Sequence, residues 1–180
     1  KAGKTVFQDA TNDPGIKFES GRTKFPDILL FSDKISGIVF NGWELKFPDT
    51  PIDDQTLLGN ALEKAKRLKS DSFVTWNGSE AAIWKISNDD YSIENLSVLK
   101  RYPPIRTISS REDLSHTELY RKNEPVLQQR LNEILSDLDS LLKSGDLKQA
   151  LNISDHFISA IQNLSSLLIP QFESLIKKLL

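Results

Sequence analysis

The run Asp27-Ile28-Leu29-Leu30-Phe31 constrains the fold more than any other stretch of the chain. Unbroken apolar runs this short, bounded by Pro26 on one side and by the polar segment 32–37 ending in Gly37 on the other, read as strands buried on both faces. Residues 38–47 (Ile-Val-Phe-Asn-Gly-Trp-Glu-Leu-Lys-Phe) form a second, longer strand, and segment 32–37 between them reads as a hairpin connection. Gly42 is a candidate bulge within it, and Pro48 and Pro51 end it because neither donates to a ladder.

A helix is expected next. Asp53 or Asp54 supplies its N-cap, and Leu58, Ala61, Leu62, Ala65 and Leu68 recur at helical spacing on one face, with Glu63, Lys64, Lys66, Arg67 and Lys69 opposite. Residues 72–76 and 81–86, joined by the turn Asn77-Gly78-Ser79-Glu80, then read as a hairpin. Ahead of the buried run, Ile16–Ser20 is a short strand candidate with Gly21–Lys24 as its turn. The order strand, strand, strand, helix, strand, strand places the first part in the α/β (α+β) class.

Residues 87–114, with Pro103-Pro104 and the basic Lys100, Arg101, Arg106 and Arg111, read as a connector. Beyond it the pattern is helical. Ser115 and Glu118 fit a capping box, and Leu127, Leu131, Ile134, Leu138 and Leu141 form the seam of a helix packed along a partner. Ser144-Gly145-Asp146 interrupts the stripe, which restarts through Leu147, Ala150, Phe157, Ile161, Leu164 and Leu168. An antiparallel helical hairpin is the simplest account. The division expected is residues 1–114 as one domain and 115–180 as the hairpin or connector.

Composition narrows the chemistry. With no Cys and only His116 and His156, the chain has no thiolate nucleophile and no Cys or multi-His metal site, so any metal would sit on carboxylates, which favour Mg²⁺, Mn²⁺ or Ca²⁺. A formal charge of -2 argues against a stand-alone basic clamp for nucleic acid. There is no membrane-length apolar stretch and no secretory leader, so a cytoplasmic protein is expected. Lys1 at the start, the absence of Met and the apolar 176–180 at the end suggest a piece of something longer.

The reactive residues gather on the first strand pair. Asp27 opens one strand directly after Pro26, and the other carries Glu44-Leu45-Lys46, where alternation sends Glu44 and Lys46 to one face and Trp43, Leu45 and Phe47 to the other. Paired as a hairpin, the strands bring two carboxylates and one ammonium to one end of the sheet. Such a set suits hydrolysis of a phosphodiester. Two anionic oxygens can hold a hard cation that polarises the phosphoryl group, and a nearby lysine can position the attacking water and offset transition-state charge.

Pro26-Asp27 followed by Glu44-Leu45-Lys46 resembles the PD-(D/E)xK motif of the restriction-endonuclease-like nuclease superfamily, and the order of elements over residues 16–86 is similar to that family's core. The resemblance implies a mixed β-sheet with a flanking helix, and a Mg²⁺-dependent endonuclease (Mn²⁺ substituting) that acts on double-stranded DNA. It implies Asp27, Glu44 and the Leu45 carbonyl as metal ligands and Lys46 as the catalytic lysine. It further suggests the nuclease domain of a type II-like restriction enzyme of a bacterium or archaeon. A methyltransferase, helicase or target-recognition domain would then lie elsewhere in the full protein, with the hairpin as connector. Double-strand cleavage would need dimerisation or two sequential nicks.

The sequence departs from the family in having only a short segment before Ile16, where a helix with a further acidic residue is usual. Glu19 is the nearest candidate for an auxiliary carboxylate, and Gln55 opens the helix where some members place a site residue, though a plain polar first-turn residue is the reading that fits it better. Arg22, Lys24, Lys64 and Arg67 are candidates for DNA phosphates, and a solvated face explains the helical pair as well. Asp27 capping a strand and Glu44 with Lys46 as a same-face pair remain the bland alternative. On that view the domain is a non-catalytic DNA-binding or assembly module; a transposition or repair nuclease is a third reading.

Overall fold

The structure, a computed structural model, describes residues 7, 9–11, 26–33, 35, 38–87 and 90–148. Its elements run β1 (Asp9–Thr11), β2 (Ile28–Asp33), β3 (Ile38–Leu45), α1 (Gln55–Leu68), β4 (Ser72–Trp76), β5 (Ala81–Ile86), β6 (Leu96–Tyr102), α2 (Glu112–Ser115) and α3 (Thr117–Ser144). The strands form one six-stranded sheet in the order β1-β2-β3-β4-β5-β6. Every neighbouring pair is antiparallel except β3 and β4, which are parallel. A parallel pair needs a crossover, and α1 supplies it. The Asp54 carboxylate starts this helix by accepting the Leu57 N–H at 2.9 Å.

Alternation along β4 and β5 divides the core between two faces. Phe73, Ala82, Trp84 and Ile86 pack with Leu58, Ala61, Leu62 and Ala65 of α1, whereas Val74 and Ile83 pack with Ile134 and Leu138 of α3 and with Trp43. The mixed α+β sheet therefore has a helix on each side. Each fully buried Leu or Ile on these faces contributes about 1.5–3 kcal/mol.

The stripe Leu131, Ile134, Leu138 and Leu141 packs on the sheet, while the segment expected to be its helical partner lies outside the described residues. Spacing of three and four residues gives an amphipathic helix one apolar side without specifying what that side meets. Polar contacts fix α3 further: Tyr102 donates its hydroxyl to Asp137 at 2.6 Å, and the Arg130 guanidinium donates to the Ser79 carbonyl at 3.1 Å. Burial, followed by the Asp137 hydrogen bond, pushes the Tyr102 hydroxyl far above its ordinary pKa. The expected second arm of the hairpin lies outside the described residues, apart from Leu147 and Lys148.

Three other expectations change. The expected connector 87–114 contains β6, an edge strand whose Ser97, Val98, Lys100 and Arg101 are exposed, so its sequence lacks an apolar run. Within the β2–β3 pair the irregularities fall not at Gly42 but between Leu30 and Phe31 and between Phe31 and Asp33, opposite residues 38–41 of β3. The Ser-x-x-acidic signature is realised at Ser110 and Asp113 rather than at Ser115 and Glu118. There the Asp113 carboxylate accepts the Ser109 and Ser110 N–H groups at 2.8 and 2.9 Å, which hold its pKa below the usual carboxylate range. His116 precedes α3 without a side-chain cap bond. The strand candidate Ile16–Ser20 lies outside the described residues.

Candidate active site

Pro26 and Asp27 reach β3 because residue 42 has no side chain. A Cβ at Gly42 would stand 2.6 Å from Pro26 Cγ and 2.9 Å from Pro26 Cβ, closer than ring carbons tolerate. With that space free, the Asp27 N–H donates to the Trp43 carbonyl at 2.9 Å, and its Oδ2 accepts the Leu45 N–H at 2.7 Å. Asp27 thus sits just before β2, clamped across the final residues of β3.

Glu44 lies on the α1 face of β3 and is only 3% exposed. A buried carboxylate needs a partner, because removing a charge from water costs several kcal/mol. That partner is Lys64 from α1, whose ammonium lies 2.6 Å from Oε1 and 2.7 Å from Oε2. Burial pushes the Glu44 carboxyl above its ordinary pKa. The Lys64 hydrogen bond and charge pull it back, the negative charge of Asp27 raises it again, and the charge of Lys46 lowers it. Asp27, Glu44, Lys46 and Lys64 are therefore electrostatic neighbours.

Lys46 follows the last residue of β3. Its backbone N–H donates to the Trp76 carbonyl at 3.0 Å, continuing the ladder with β4, and its exposed ammonium turns back to the Leu45 carbonyl at 3.1 Å. Beside it opens a cleft of about 440 Å³, walled by Trp76, Tyr120, Leu127 and Leu131, with Glu124 and Gln128 among its polar groups. The ion-pair partner of Glu44 is thus Lys64 and not its strand neighbour Lys46.

Lys64 was expected to face DNA phosphates or solvent; it points inward. The sequence holds only a partial signal, which does not name Glu44: Lys64 stands three residues after Ala61, next to Ala65 and four before Leu68, beside the apolar stripe, and two alanines leave room beneath a long side chain. Arg67 pairs with Glu63 on its own helix. Gln55 is exposed in the first turn of α1, about 13 Å along the axis from Lys64, and is not brought to Glu44. Glu19, Arg22 and Lys24 lie outside the described residues.

The donor chemistry fits a hard cation. Asp27 and Glu44 bring two carboxylates to the end of β3 whose mutual repulsion a cation would relieve, and the Leu45 carbonyl, which accepts from the Lys46 ammonium, is a neutral oxygen of the same strand end. Among the described residues no cluster of three or more His, Cys, Asp or Glu side chains is placed to hold a metal, so any such site rests on this smaller set. Among the same residues no helix is long and apolar enough to cross a membrane. Comparison with protein-family models, curated proteins and solved structures gave no match to the chain.

Proposed function

We propose that this chain carries a Mg²⁺-dependent endonuclease site that hydrolyses DNA phosphodiester bonds on a restriction-endonuclease-like sheet. The observation that carries this reading is the 2.7 Å hydrogen bond from the Leu45 N–H to Asp27 Oδ2, which draws the acid after Pro26 onto the Glu44-Leu45-Lys46 strand. A restriction enzyme of a bacterial or archaeal cytoplasm is the setting that fits best, with recognition and modification functions in partner domains.

In this reading Asp27, Glu44 and the Leu45 carbonyl hold Mg²⁺, with Mn²⁺ able to substitute. When bound, the ion polarises the phosphoryl group and makes a coordinated water more acidic. The chain's own contribution is preorganisation. The Leu45 N–H fixes the rotamer of Asp27, burial fixes Glu44, and the exposed Lys46 ammonium offsets negative charge that grows on the phosphoryl oxygens as water attacks.

One observation favours a second reading, a non-catalytic DNA-binding or assembly module: both Glu44 oxygens are already engaged by Lys64. Plasmid cleavage separates the two. Asp27→Ala, Glu44→Ala and Lys46→Ala should each lower Mg²⁺-dependent nicking by about a hundredfold or more, and EDTA should abolish it in the unaltered chain. Nicking unchanged in all three variants would overturn the nuclease reading.

A further inference from the structure

We infer that Lys64 is a resident counter-ion that occupies the Glu44 carboxylate while the site holds no divalent ion, and that it must withdraw for the ion to bind. It thereby sets the threshold for cation loading. This rests on the cation-dependent reading given above, and it assigns a role to a residue outside the Asp27, Glu44 and Lys46 set.

The geometry is that of direct competition. With its ammonium 2.6 and 2.7 Å from the two oxygens, Lys64 takes the position between them that a divalent ion bound to both oxygens of Glu44 would occupy. Mg²⁺ binds oxygen at about 2.0–2.1 Å, so ion and ammonium could not both take that position without close like-charge contact. The charges agree. Without a divalent ion, Asp27 and Glu44 are balanced by Lys46 and Lys64; adding two positive charges with all four in place leaves surplus positive charge beside the largely buried Glu44–Lys64 pair. Withdrawal of Lys64 removes one of the surplus charges.

Lys64 is suited to withdrawing. Its helix is held to the sheet by Ala61, Ala65 and Leu68, all buried, so the backbone stays fixed while a flexible four-carbon stem carries the ammonium. The side chain retains 11% exposure, whereas that of Glu44 retains 4%, so solvent access lies on the lysine side of the pair.

The test is a titration of the full chain with Mn²⁺, without DNA, reading free Mn²⁺ by electron paramagnetic resonance, alongside thermal unfolding with and without the ion. Lys64→Met keeps most of the stem and removes the charge. It should bind Mn²⁺ about tenfold more tightly than the unaltered chain, a difference of about 1.4 kcal/mol. Its Tm should fall without Mn²⁺ and rise more on saturation than that of the unaltered chain.

Lys64→Gln, which leaves a donor for the buried carboxylate, should show a smaller gain in the same direction and serves if the methionine variant does not fold. Equal or weaker Mn²⁺ binding in the folded variant overturns the inference, and weaker binding would make Lys64 a positioning residue for Glu44. Asp27→Asn separates the two levels. If it weakens Mn²⁺ binding while the Lys64 variants leave it unchanged, only the counter-ion role falls; if no form of the chain binds Mn²⁺, the cation-dependent reading falls too.

Discussion

On the α3 face of the sheet, Ile134 and Leu138 meet Trp43, Val74 and Ile83 with essentially no surface left to water, and the polar contacts there involve backbone carbonyls or the rim. The α1 face is equally well covered by Ala61, Leu62 and Ala65 over Phe73 and Trp84, yet it also encloses a carboxylate and an ammonium. Both faces belong to one sheet and one kind of helix packing. The α3 face buries the Arg130 guanidinium only against the Ser79 carbonyl and the partly exposed Glu133 carboxylate, so an ion pair with both members buried is no requirement of the architecture. Buried pairs are often no better for stability than apolar residues of similar volume, so Glu44 and Lys64 are better explained by what they do than by what they hold together.

The largest expected effect tests the core of the α3 face, to which only packing is assigned. Leu138 is fully buried between α3 and the sheet. Leu138→Ala should lose about 2–5 kcal/mol of unfolding free energy in urea titration, the lost transfer energy plus a cavity. Under conditions where the variant stays folded, its Mn²⁺ affinity should match that of the unaltered chain. A change in that affinity would show that the two faces are coupled and break the contrast.

The next effect has the opposite sign. Replacing both members of the pair, as Glu44→Leu with Lys64→Met, should leave stability unchanged or raise it by up to about 4 kcal/mol while abolishing Mg²⁺-dependent cleavage. A stability loss of several kcal/mol in the double variant would mean that the pair is structural, and the contrast between the faces would then carry no functional meaning.

How far these faces could be read in advance depended on the kind of signal. The run 27–31, the strand 38–47, the helix begun by Asp53 or Asp54 and the hairpin 72–86 all followed from apolar periodicity and turn chemistry, because their burial is strong and local; the structure runs the strands over Ile28–Asp33 and Ile38–Leu45 and selects Asp54 as the cap. β6 was hidden because an edge strand needs no apolar run. The surface met by α3 was hidden because an amphipathic stripe is silent about its partner. At the site, the nearness of Asp27 to Glu44-Leu45-Lys46 was legible from strand pairing. The pairing of Glu44 with Lys64 was not, because it joins residues twenty positions apart across a crossover and a charged residue near an apolar stripe usually reads as solvated.

The smallest effect concerns how Asp27 is brought to this face, and two glycines make the comparison. Gly59 lies exposed in α1 with nothing within 4 Å of where a Cβ would be, so Gly59→Ala should stabilise by about 0.5–1 kcal/mol through helix propensity and leave cleavage unchanged. At Gly42 the added methyl would press on the Pro26 ring at 2.6 and 2.9 Å, and a proline ring cannot rotate aside as a long side chain does. Gly42→Ala should therefore cost about 1–3 kcal/mol, the range for overpacking a close contact. Moving Pro26 also moves Asp27, whose Oδ2 accepts the Leu45 N–H, so cleavage should fall by more than tenfold even where the protein remains folded. If Gly42→Ala lowered the Tm as expected and left nicking intact, Asp27 would not need its place against β3, and the buried Glu44–Lys64 pair would stand alone as what sets the α1 face apart.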